Sequence, residues 1–278
     1  MDTRYAFLAD IPAEEYHEAA RKGEYLSSHL LADFRKCPRL YRKKVSGEIP
    51  PADSPALLMG RAVHTLVLEG RAKFDTEFLV SEGPVNPKTG EPFGRLTEAY
   101  RDWLSQQRLP VVSGPDYDFM LKIRSAVWSH ETAARLLDRG VAEKTVRTEY
   151  AGMMCQIRMD WFCGEGETPV ICDLKTCDTV DYFEQDAWKF GYPHQMAFYR
   201  EVFACACEAA LTTPGVRPDC YLIAVEKREP FRVAVYKLTD ALLEQCAHQN
   251  EAAVAELMKC QREGEWPTRT EGMRILDA

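Results

Sequence analysis

The chain has 278 residues, of which 46% are hydrophobic and 28% charged, and it carries a formal net charge of −8. That content can bury a sizeable core in one elaborated domain. No apolar run approaches the roughly 18 residues of a membrane span, and Met1 to Ala20 lacks a signal-peptide core, so the expectation is a cytoplasmic protein with no membrane partner.

In chain order, helices are expected at Glu14 to Arg21, Ser28 to Lys36 and Ala56 to Glu69. Across the second of these and beyond it, Arg35, Lys36, Arg39, Arg42, Lys43 and Lys44 place six cations in ten residues, with Phe34 and Tyr41 interleaved. Charge acts locally, so such a run can meet phosphates in spite of the negative total, although most charge runs are only solvated faces. Arg61 is a further cation of the same region. A Gly/Pro-rich excursion at Gly83 to Phe93 reads as an exposed loop, and Leu96 to Gln107 and Asp116 to Arg139 read as helical.

Three strands are expected between Thr145 and Thr176. Met153 to Phe162 alternates, with Met153, Cys155, Ile157, Met159 and Trp161 on one face and Gln156, Arg158 and Asp160 on the other. After a turn at Gly164 to Pro169, Val170, Cys172 and Leu174 share one side of a second strand and Asp173 and Lys175 the opposite side. A helical region at Tyr182 to Leu211 contains Pro193 at a first-turn position, with Gln195 and Tyr199 on one face. Strands at Asp219 to Glu226 and Pro230 to Leu238 flank a charged turn. Thr239 then caps a terminal helix to Glu263, and Trp266 to Ala278 forms a docking tail. The sum is an α/β (α+β) single domain, a mixed sheet flanked by helices. Residues 1–140 are mainly helical, 141–238 form the core, and 239–278 are the last helix and tail.

If the two strands pair as a hairpin, Asp160, Asp173 and Lys175 converge at one end of a sheet. Two carboxylates there can hold Mg²⁺ through hard oxygen ligands, joined by the Leu174 carbonyl. A divalent cation polarises a phosphoryl oxygen, activates water and neutralises the leaving oxygen, while an ammonium orients water or stabilises the transition state. A lone D-x-K triplet is more often an ordinary strand end. Likewise His64, on a mostly apolar helix, read alone is a core histidine.

The ordered series is more specific. It runs SSHLLADFRKCPRLYRKK from Ser27, then Gly60-Arg61-Ala62-Val63-His64, Glu149, Asp160, Asp173-Leu174-Lys175, and Gln195 through Tyr199. This order resembles the RecE-type exonucleases of the PD-(D/E)xK nuclease superfamily, related to lambda exonuclease and RecB-like nuclease domains, and the likeness spans residues 27–200. Met159 stands before Asp160, and Asp173 occupies a place where relatives often have Glu. The resemblance implies a restriction-endonuclease-like core in which His64, Asp160 and Asp173 hold Mg²⁺ (or Mn²⁺); Glu149, in a segment whose pairing the sequence does not fix, is expected as a secondary metal or water ligand. It implies that Lys175 is the catalytic lysine and that Gln195 and Tyr199 form the Q-x-x-x-Y element.

It further implies 5′ to 3′ degradation of duplex DNA from its ends, leaving 3′ single-stranded tails. A homo-oligomeric ring, tetrameric or trimeric, a RecT-type annealing partner and a phage or prophage recombination setting follow from the same likeness. The alternatives are an endonuclease, a single-strand-preferring nuclease, or a DNA-binding protein that has lost catalysis. The ten cysteines lack the spacing of an iron–sulfur cluster and are expected to be reduced structural thiols.

Overall fold

A computed structural model of the chain describes residues 3–51, 54–273 and 275. The amino-terminal part contains α1 (Ala13–Arg21), α2 (Ser28–Lys36), α3 (Pro38–Val45), α4 (Pro55–His64), α5 (Arg71–Glu77), α6 (Glu98–Ser105), α7 (Gly114–Ser129) and α8 (Glu131–Leu137). Two short strands, β1 (Leu79–Val80) and β2 (Val111–Val112), pair in parallel beside these helices. The main sheet follows: β3 (Val141–Tyr150), β4 (Met153–Cys163), β5 (Val170–Cys177), β6 (Asp219–Glu226) and β7 (Val233–Lys237). Helices α9 (Phe183–Phe190) and α10 (Tyr192–Ala209) connect β5 to β6, and α11 (Asp240–Glu263) closes the described helical order.

The five strands lie in the order β3-β4-β5-β6-β7, with β5 and β6 parallel and the other neighbours antiparallel. This is the mixed sheet flanked by helices that the strand and helix pattern implies. On one face, Cys155, Ile157, Met159, Phe162 and Ile171 pack with Phe34 of α2, Phe198 and Val202 of α10 and Leu257 of α11. On the other, Trp161, Cys172, Leu174, Ile223 and Val225 pack with Ala62 and Val63 of α4 and Met120 and Ile123 of α7. A sheet buried on both faces needs apolar residues on both sides of its central strands, and β5 and β6 have them.

Several boundaries depart from the periodicity, each for a local reason. The second helix ends at Lys36 as expected, and proline, which lacks a backbone N–H, opens α3 in its first turn, so the cationic run is shared between two helices. The helix expected to run to Glu69 widens at Thr65–Glu69 into a π-type turn, stopped by Gly70 at φ 84°. The segment expected as one helix from Asp116 divides at His130, whose side chain caps α8 through the Ala133 N–H. Thr239 caps α11 as expected, accepting from the Leu242 N–H.

Trp161 is a correction. Strict alternation puts it with Met159, yet it packs on the α4/α7 side while Phe162 packs on the α10 side. The break falls at Asp160, where the β4–β5 ladder ends. Pairing runs only from Cys163↔Val170 to Trp161↔Cys172, and the next N–H on that side, from Leu174, is accepted at 3.0 Å by Asp160 Oδ2. A carboxylate has replaced the strand partner, so the two strands part there.

The tail docks where it can be followed. Trp266 stacks on Tyr41 of α3 with centroids 5.9 Å apart, and the Arg39 N–H donates to the Pro267 carbonyl at 3.2 Å. Residues 274 and 276–278, also assigned to the tail, lie outside the described residues.

Candidate active site

Asp173 and Lys175 project from β5 toward α10, as their shared parity requires. Lys175 Nζ lies 2.5 Å from Asp173 Oδ2 and donates to Gln195 Oε1 at 3.2 Å. Gln195 Nε2 in turn donates to Asp173 Oδ1 at 2.9 Å and lies 3.1 Å from the Tyr199 hydroxyl. Gln195 is therefore a bridge: its carbonyl holds the ammonium, and its amide nitrogen holds the carboxylate. Tyr199, buried behind it, fixes the amide, since residues four apart on a helix lie one above the other.

The second half of the site comes from the other side of the opening between β4 and β5. His64, at the end of α4, places Nδ1 3.3 Å from Asp160 Oδ2. Ligand atoms of His64, Glu143 and Asp160 lie within 4.8 Å of one another. Glu143 stands on β3 at φ 58°, between the pairs Ala142↔Trp161 and Lys144↔Met159, and so opposite Asp160. The Arg158 guanidinium contacts its carboxylate.

Electrostatics ties the halves together. Burial, and then the Asp173 charge, push the Asp160 carboxyl up to about 7, against the opposing pull of His64 and Lys175. Burial works against the Lys175 ammonium, but Asp173 and Asp160 outweigh it and raise its pKa above the ordinary lysine value. Two carboxylates in a dry corner with one ammonium leave negative charge uncompensated. Asp173 Oδ2, although close to Lys175, lacks an aligned hydrogen bond. Oxygen donors from three carboxylates and one imidazole nitrogen suit Mg²⁺ or Mn²⁺, so the residues fit a divalent cation.

The structure thus brings together His64, Asp160, Asp173, Lys175, Gln195 and Tyr199. It does not bring Glu149. That residue is exposed and pairs with Met154 next to the hairpin turn, six residues or about 20 Å along β3 from Glu143. At Leu174 the backbone N–H donates to Asp160 Oδ2 at 3.0 Å, which ties the residue between the two acids to the first of them. Glu143 takes the place expected for Glu149, and a sequence signal for it exists. Ala151 and Gly152 have φ of 51° and 82°, a two-residue turn joining β3 to β4, and counting back from it sets Glu143 against Asp160. Ala-Gly is a weak turn signature beside Asn-Gly, so the register stayed unread.

The cationic run divides among several tasks. Lys44 pairs with Asp33 at 2.7 Å and Lys43 with Glu48 at 3.3 Å. Arg39 donates to the Trp266 carbonyl at 3.2 Å, the Arg42 guanidinium lies over the Trp266 ring, and Arg61 lies over Phe78. Lys36 is exposed. Arg35 differs: its Nη2 is 2.6 Å from His194 Nε2, and among the described residues no carboxylate pairs with it. It lines a cleft with His29, Lys175, Tyr192 and Gln195.

A mixed sheet that splays between two acidic strands, with a lysine two residues beyond the second acid, defines the PD-(D/E)xK nuclease class. Residues 27–278 match the family described as "PDDEXK-like domain of unknown function (DUF3799)", and the chain belongs to that family. Its fold is similar to that of a protein from Eubacterium rectale described as a candidate exonuclease, with a TM-score of 0.65 and 18% identity over 97% of this chain and 96% of that one. The structure of SSO0001 is a distant match, with a TM-score of 0.27 and 14% identity over 49% of this chain and 66% of that one. No curated protein matches the chain. No helix among the described residues is long and apolar enough to cross a membrane.

Proposed function

We propose that the chain is a Mg²⁺-dependent exodeoxyribonuclease that degrades duplex DNA from its ends, 5′ to 3′, leaving 3′ single-stranded tails. The observation that carries the hydrolytic reading is the Lys175 ammonium, held between Asp173 and Gln195 at the opening where Asp160, His64 and Glu143 meet. A divalent cation bound by His64, Asp160, Asp173 and Glu143 supplies Lewis acidity toward a phosphoryl oxygen and water.

The chain's own residues do the rest. Lys175, charged and fixed by Gln195, stands ready to orient the attacking water and to offset charge that grows on the phosphoryl group. Gln195 gives the ammonium a second, neutral acceptor beside Asp173 and so fixes its direction. Tyr199 and the buried face of α10 keep this arrangement rigid and exclude bulk water from behind Lys175.

The exonuclease polarity rests on the resemblance to RecE-type enzymes and is tested by digesting linear duplex labelled at either end beside a closed circular duplex. Release of label from the 5′ end with the circle intact supports it; cutting of the circle points to an endonuclease. The homo-oligomeric ring and the RecT-type annealing partner belong to the same proposal. Sedimentation of the purified chain at several concentrations tests the ring.

A further inference from the structure

Around the left-handed Gly191 that joins α9 to α10, two large aromatic side chains stand in solvent: Trp188 is 51% exposed and Phe190 57%. Neither anchors the core; Phe190 lines the active-site cleft itself, and Trp188 reaches it through His194. Phe190 stacks on Tyr192, with centroids 5.8 Å apart and ring planes 28° from parallel, and the Tyr192 ring lies 4.6 Å from Lys175 Nζ. Trp188 meets His194 edge to face at 6.0 Å, and His194 Nε2 contacts the Arg35 guanidinium. Phe190, Tyr192, His194, Arg35 and Lys175 line one cleft. An aromatic shelf therefore ends at the proposed catalytic lysine, beside an arginine that among the described residues lacks a carboxylate partner, and the Lys189 ammonium, in the last turn of α9, lies 5.3 Å from the Phe190 ring centroid.

We infer that Trp188 and Phe190 form a stacking platform for the bases of unpaired nucleotides in the strand being cut, with Arg35 and Lys189 meeting the phosphates. Every base has a π face, and flat rings spaced along a cationic groove are how single strands are held without regard to sequence. Inside a duplex the bases are stacked on one another and offer only edges and backbone, and only the terminal pair at each end shows a face, so two exposed rings at this position favour successive nucleotides already released from their partners. The cations beside the shelf select a polyanion over an apolar protein partner. This reading rests on the nuclease proposal and adds to it that the strand enters the cleft unpaired.

The test is fluorescence anisotropy with a labelled single-stranded oligothymidylate, and separately with a blunt duplex of equal length. Both are measured in EDTA, so that binding is read without cutting. The Trp188→Ala/Phe190→Ala double variant is expected to weaken single-strand binding roughly tenfold or more, given what each base–aromatic stack contributes. Blunt-duplex binding should change by less than about half that factor.

Trp188→Tyr/Phe190→Tyr, which keeps both rings, should retain most of the single-strand affinity. Leu211→Ala should leave it unchanged, because Leu211 is 84% exposed but lies beyond the far end of the 18-residue α10, about 27 Å away. Unaltered single-strand affinity in the alanine variant, or equal losses on both DNAs, overturns the shelf while leaving the nuclease reading intact. Failure of the unmodified chain to bind or cut any DNA overturns both.

Discussion

At the residue scale the site depends on how its charges are balanced before a cation arrives. The Asp160 carboxyl is raised to about 7 from an ordinary value near 3.8, so without a metal its ionisation costs stability. That cost is absent below the unfolded pKa, grows as pH rises through the interval and is full above the folded value, on the order of a few kcal/mol. In EDTA, melting temperature should fall by several degrees between pH 5 and pH 8, and Mg²⁺ should restore it most strongly at pH 8. Asp160→Asn should flatten both effects, and differential scanning calorimetry across pH and metal decides. A profile that is flat and insensitive to metal in the unmodified chain would remove Asp160 from the proposed cation site.

Glu143 and Glu149 give a second test at the same scale. Glu143→Gln should weaken Mn²⁺ binding by roughly tenfold or more, while Glu149→Gln should leave it within about twofold, as measured by isothermal titration. The contrast shows how much of the site the sequence carried. Asp160, Asp173, Lys175, Gln195 and Tyr199 were readable because parity in a strand and a spacing of four in a helix are local rules. Glu143 required the register between two strands, and that depended on recognising Ala151-Gly152 as a turn.

At the scale of elements, α10 aligns the lysine, and Gly191 sets where α10 begins. Its φ of 75° is costly for any residue with a side chain, although a Cβ there meets nothing within 4 Å. Gly191→Ala should therefore lower stability by about 1–2 kcal/mol, and turnover should fall further than folding alone explains, because Gln195 is displaced from Lys175. Thermal unfolding and cleavage rates measured on the same preparation separate the two effects.

Element order was largely legible, since β6 and the Thr239 cap of α11 announce themselves. The breaks were less so. The division at His130, whose ring caps α8, and the π-type turn stopped by Gly70 break the helical period locally, and the reversal at Trp161 falls where Asp160 accepts the Leu174 N–H in place of a strand partner.

For the whole molecule, net charge is a poor guide and placement a better one. The six-cation run looks like a single DNA-binding face, but Lys43 and Lys44 are engaged by acids and Arg39 and Arg42 by the Trp266 segment. Arg35, facing the cleft beside Lys175, carries the larger expectation. Arg35→Ala should weaken DNA binding and lower the slope of log affinity against log salt by roughly 1, whereas Lys44→Ala should leave the slope nearly unchanged. Titrations at four salt concentrations would read this, and equal slopes for all variants would return the run to an undifferentiated surface.

Hydrolysis of DNA is proposed at the opening between β4 and β5. Its most direct test is digestion of labelled linear duplex by the intact chain and by Lys175→Ala, each with Mg²⁺ or with EDTA. Cleavage is expected from the intact chain in Mg²⁺ alone, with a loss of at least about a hundredfold in the variant. Equal cleavage by the two proteins, or cleavage that persists in EDTA, would contradict it.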